Sequence, residues 1–278
     1  MMEVATNPEY ETSVKLLEKY WEVFKQKKLP LPKKHLGTMQ KYGCAGYGCV
    51  FPTYTKNVVV KVTGDPTEAG FAVLSMHLRE KEGLELKGLV QYHHAAIMPE
   101  QVSKYDSINR PEDVYVLWRE EAYDLNEVFS REGRLAEHYN FDHSQASDAH
   151  SMTTNYLMSF LVEAEKPYLA MKAIRRNESR EAAIEYGRGE FENFKLVPDD
   201  DSTLSRCNKI AERMGEIKYL RPIGDTFVEL ASVGILIGDA HPGNIGMVDR
   251  VPSGPVVTDP GHVAVLNPDL MVIGVPSL

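Results

Sequence analysis

The sequence predicts an α+β fold in two lobes, a small antiparallel sheet carrying one helix and then a mainly helical part. Three observations lead there. At 278 residues the chain exceeds one average domain but falls short of two independent ones, which suits two lobes sharing a cleft. Short β-branched and aromatic runs crowd residues 37–118, at 58–62, 89–98 and 114–118. From 126 to 235, apolar residues recur at helical spacing instead.

Composition narrows the function classes. Apolar residues at 43% and charged residues at 26% exclude wholesale disorder. No apolar run approaches the ~20 residues needed to span a bilayer, and the N-terminus lacks a basic-then-apolar leader, so the expectation is a cytoplasmic chain with no membrane contact. A formal net charge of −9 argues against direct nucleic-acid binding, which needs a basic face. Cys44, Cys49 and Cys207 make an odd count without metal-ligand spacing, and free thiols are expected.

Residues 1–36 place Val14, Leu17, Trp21 and Phe24 at helical spacing, with glutamates alternating with lysines around them. Leu29-Pro30-Leu31-Pro32 is expected to end that helix, because proline blocks its continuation. Residues 37–118 form the expected first lobe. There Gly43, Ala45, Gly46, Gly48 and Val50 read as a glycine-rich hairpin whose backbone can approach a polyphosphate closely. Lys61 follows inside Val58-Val59-Val60-Lys61-Val62. Its apolar neighbours predict a buried strand, and a buried lysine needs an acidic partner or a phosphate. Asp65-Pro66-Thr67-Glu68 then has the layout of a helix start, with Asp65 as cap and Pro66 in the first turn. Glu68 either swings toward Lys61 or completes the capping box.

Residues 119–125 turn from apolar to polar and read as a hinge between the lobes. In the expected second lobe, 126–278, His138, His143 and His150 lie in a polar stretch read as a solvated loop. The acidic run at Asp199, Asp200 and Asp201 reads as solvated too. The run 233–237 reads as an apolar helix end leading to Asp239 on a rigidly anchored loop. A carboxylate there can orient a hydroxyl and accept its proton. Asn244, five residues on, and Asp259, after Val256-Val257-Thr258, supply hard oxygen donors suited to Mg²⁺ on nucleotide phosphates.

Glycine loop, lysine, glutamate, Asp-x4-Asn and a last Asp, in that order, resemble the protein-kinase-like superfamily over residues 40–265. Ala45 stands for the loop's second glycine, Ile237-Gly238 for the usual His-Arg, and Pro260 for the phenylalanine of Asp-Phe-Gly. The Asp239-x-His241-x-Gly243-Asn244-Ile245 and Thr258-Asp259-Pro260 patterns look most like the short serine/threonine kinases of T-odd enterobacterial podoviruses. So do the mere 17 residues that follow Gly261. This resemblance implies a bilobal kinase-like fold with a truncated helical lobe, ATP and Mg²⁺ as cofactors, and host bacterial proteins as substrates. Self-modification would fall on Ser144, Ser147, Ser151, Thr153 or Thr154. It assigns Lys61, with Glu68, to the α- and β-phosphates, Asn244 and Asp259 to metal, and Asp239 to the acceptor hydroxyl. The same residues resemble aminoglycoside and choline phosphotransferases, which act on small alcohols, and a non-catalytic kinase-like binding module is the remaining alternative.

Overall fold

The computed structural model describes residues 8–33, 44–45, 48–103, 111–125, 142–161, 169–170, 203–237, 240, 242–250, 254–260, 263–265, 270 and 274–278. The fold is α+β, mixing helices with antiparallel sheet. Of the residues singled out in the sequence, Gly43, Gly46, His138, Asp199, Asp200, Asp201 and Asp239 lie outside the described residues.

The N-terminal helical pattern becomes two helices, Pro8–Lys19 (α1) and Trp21–Gln26 (α2), separated at Tyr20. The prolines do not end the second one. It stops earlier, where Lys28 takes a positive φ of 56° and the Leu29 N–H reaches back to the Phe24 carbonyl at 2.9 Å, a closing bond of the Schellman kind.

Both helices cover one face of a five-stranded antiparallel sheet made of Cys44–Ala45 (β1), Gly48–Pro52 (β2), Val58–Thr63 (β3), Tyr92–Ser103 (β4) and Pro111–Glu120 (β5). The spatial order is β1-β2-β3-β5-β4. Strand alternation sorts the side chains by face. Val60, Val62, Val116 and Trp118 join Leu17, Tyr20 and Phe24 on the α1 and α2 side. Tyr115 and Leu117 join the helix Pro66–His77 (α3) on the other. Lys61 pairs with Leu117 and Val59 with Arg119, so both cations belong to the α3 face.

The free-thiol expectation is overturned for two cysteines. Cys44 and Cys49 pair across β1 and β2 and form a disulfide, while Cys207 is buried and outside any disulfide. Five residues apart in sequence, they meet because β1 and β2 pair antiparallel with Cys44 opposite Cys49. At the far edge of the sheet, Ile97 of β4 donates to Pro276 O at 2.8 Å and accepts from Leu278 N at 3.0 Å, so residues 276–278 cap an otherwise open strand edge.

The rest combines helices His143–Leu161 (α4), Thr203–Glu216 (α5) and Arg221–Ser232 (α6) with two three-stranded sheets. One sheet joins Ala122–Asp124 (β6), Ile245–Val248 (β9) and Pro255–Val257 (β10) in the order β10-β9-β6. The other joins Leu169–Ala170 (β7), Ile235–Ile237 (β8) and Val263–Val265 (β11) in the order β7-β11-β8. Three expectations change here. His143 and His150 lie on α4, not in a solvated loop, and Thr153 on that helix is buried and bonds the Ala149 carbonyl, which removes it as an exposed acceptor. The run 235–237 is a strand, because β11 offers it a pairing partner that a lone apolar run does not reveal.

One continuous core runs from α3 and β4 through α4, α5 and α6 to β8, β9 and β10. Backbone bonds reinforce it. Val90 N–H meets Val257 O at 3.0 Å and Val257 N–H meets Gly88 O at 2.8 Å, so the chain entering β4 runs alongside β10. Among the described residues, no helix is long and apolar enough to cross a membrane.

Candidate active site

The site is built on the α3 face of the sheet. Asp65 accepts hydrogen bonds from Thr67 N at 2.7 Å and Glu68 N at 3.4 Å, and Pro66 follows it in the first turn, so the start of α3 is fixed. That start turns Glu68 inward, fully buried, and Lys61 Nζ approaches its Oε2 to 2.6 Å. The contact is an ion pair; Oε2 makes no hydrogen bond of good geometry. The other oxygen, Oε1, accepts from the Tyr92 hydroxyl at 3.3 Å. The capping role thus belongs to Asp65, leaving the Glu68 carboxylate for Lys61.

Lys61 holds a second carboxylate. Its Nζ lies 2.6 Å from Asp259 Oδ2 across 198 residues of sequence. Asp259 follows β10 and Asn244 precedes β9, so the two stand at the same end of one antiparallel hairpin. Thr258 N–H to Asn244 O at 2.7 Å closes that end. A carboxylate and an amide are the donor types a hard divalent cation takes. Among the described residues no group of three or more His, Cys, Asp or Glu gathers as a metal site.

Charge balance explains the electrostatics. Burial opposes the charge on Lys61, but Glu68 and Asp259 outweigh it and hold the ammonium above the ordinary lysine value. Burial and then the Asp259 charge push Glu68 up to about 7, against the pull of Lys61 and Arg119. Between 4.5, the ordinary glutamate value, and about 7, the folded chain therefore keeps a proton that the unfolded chain has released. More protons bound in the folded state means stability falls as pH rises through that window. The stability difference between wild type and Glu68→Gln, followed by urea denaturation from pH 4 to 8, is expected to track it. A pH-independent difference would show that Glu68 ionises as an ordinary carboxylate.

The glycine-rich stretch is described in part. Ala45 and Gly48 pair as the last residue of β1 and the first of β2. Gly48 has a packing reason: a Cβ there would stand 2.5 Å from Val62 O of the neighbouring strand. Val50 pairs with Lys61 and so shares its face. Asp239 itself is not described; Ile237, two residues before it, pairs with Val263 of β11.

Sequence reasoning missed three residues. Tyr92 bonds Glu68, Thr258 links Asn244 to the rest, and Arg119 donates from its guanidinium to the Thr258 carbonyl. The signal for Arg119 was present. It continues the every-second-residue series Tyr115, Leu117, Arg119 along the buried face of β5. Compared with known proteins, the chain matches no protein-family model and no curated protein sequence.

Proposed function

We propose that this chain is an ATP- and Mg²⁺-dependent phosphotransferase of bilobal, protein-kinase-like architecture that acts on serine or threonine hydroxyls of proteins. The observation that carries the reading is the buried Lys61 held 2.6 Å from both Glu68 and Asp259. A protein that needed only a core would gain by replacing such a cluster with apolar side chains. A phosphotransferase needs it, because a fixed ammonium and a fixed carboxylate prepare the place where polyphosphate charge arrives.

In this reading Lys61, oriented by Glu68, holds the α- and β-phosphates, and the backbone of the hairpin around Gly46 and Gly48 covers them. Asn244 and Asp259 would hold Mg²⁺, which supplies charge neutralisation on the phosphate oxygens. Asp239 positions the acceptor hydroxyl and takes up its proton. Placement and charge complementarity supply most of the rate, as a loose phosphoryl transition state requires. The acceptors we propose are host bacterial proteins met in the cytoplasm, by the likeness to the podoviral kinases.

The test is transfer of label from γ-labelled ATP with Mg²⁺, alone and in a bacterial lysate, comparing wild type with Asp239→Asn. Asp239-dependent label on serine or threonine of protein bands is expected, with a loss in the variant of about 10²-fold or more. Asp239-dependent ATP consumption without labelled protein would transfer the reading to a small alcohol acceptor. ATP binding with no turnover in either chain would leave a binding module.

A further inference from the structure

Resting on the phosphotransferase reading, we propose that Arg119 is a positioning residue that makes the Asn244 and Asp259 end of the β9–β10 hairpin competent for a divalent cation. Arg119 stands on β5 opposite Val59, and the residue is 9% exposed. Its Nη1 donates to the carbonyl of Thr258, the residue immediately before Asp259. The Thr258 N–H is meanwhile given to the Asn244 carbonyl at 2.7 Å. Both backbone groups of Thr258 are therefore spoken for. One side ties it to Asn244, the other to the five-stranded sheet, and the orientation of Asp259 follows from both.

The charge count points the same way. Glu68 and Asp259 place two carboxylates against a single ammonium, Lys61. Arg119 is the second cation acting on this group, opposing the charge of Lys61 and favouring that of Glu68. It offsets part of the negative charge that the two carboxylates bring to the group. The guanidinium is kept at a cost. Its Nε is buried and makes no hydrogen bond, whereas an apolar residue would extend the packing of Tyr115 and Leu117. A local rule broken at a point joining both proposed metal donors is what a working site looks like.

Groups that orient metal donors without touching the metal typically govern about 10–100-fold in metal affinity. The experiment measures binding of a fluorescent ATP analogue in EDTA and in Mg²⁺ for wild type, Arg119→Met and Arg119→Lys, with folding checked by urea denaturation. Arg119→Met is expected to bind the metal-free nucleotide as wild type does and to lose about tenfold or more of the Mg²⁺-dependent gain. Arg119→Lys keeps the charge, but its ammonium falls a bond short of the Thr258 carbonyl, and part of the gain is lost. A folded Arg119→Met with the wild-type gain overturns the proposal. If that variant does not fold, a wild-type gain in Arg119→Lys overturns it alone. A wild type that transfers label but shows no Mg²⁺ gain overturns it too, whereas a wild type that neither binds nucleotide nor transfers label removes the phosphotransferase reading itself.

Discussion

Lys61→Met is expected to destabilise the chain by about 3–5 kcal/mol, the range for removing one partner of a buried ion pair, and to abolish phosphoryl transfer. The methionine fills the same volume, so the loss comes from the two carboxylates left behind. Glu68 is fully enclosed and has no route to water, whereas Asp259, a quarter exposed along its side chain, can find some. Most of the effect therefore lies on Glu68. The midpoint of urea unfolding should fall with an unchanged slope, and the melting temperature by roughly 10 °C or more for a chain of this size. Adding Glu68→Gln to Lys61→Met removes the carboxyl that must otherwise stay charged without a partner or take up a proton, and should recover more than half of the stability while transfer stays absent. A single-variant loss below about 1 kcal/mol would mean that the pair is solvated and worth no more than a surface contact.

Gly88→Ala should cost about 3 kcal/mol, the upper end for inserting a methyl group into packed structure. A Cβ at this position would stand 2.3 Å from Pro222 O, 2.4 Å from Ile223 Cα and 2.6 Å from Ile223 N, all backbone atoms at the start of α6. Backbone cannot swing aside as a side-chain tip does, so either α6 or the strand beside it must shift. Gly88 also accepts from Val257 N–H and donates its own N–H to Thr226 Oγ1 at 2.7 Å. Val257 is two residues ahead of Asp259. The strain should therefore reach the site, lowering the melting temperature and the ATP·Mg²⁺-dependent rise in melting temperature together. Wild-type stability in this variant would show that the close approach relaxes at no cost.

The Lys61–Glu68 pair was legible as one of two readings of Glu68. Asp65-Pro66 fixes where α3 starts, and once Asp65 has capped it, a buried Glu68 three residues on has Lys61 as its cationic partner. What stayed hidden depends on register. Cys44 and Cys49 become neighbours only when β1 folds onto β2, and 235–237 becomes a strand only when β11 is there to receive it. Arg119 was passed over because a cation at the end of an apolar run ordinarily marks a strand's exit into water. Here the strand stays covered, and the arginine meets a carbonyl 139 residues further along.

The 198 residues between Lys61 and Asp259 also order events during synthesis. A ribosome exposes β1 to β5 and α3 long before β10, so for most of translation Lys61 and Glu68 have only each other. The same holds for β4, whose edge waits for residues 276–278. No nascent chain short of Asp259 contains the cluster, so the competence we propose cannot precede the synthesis of that residue.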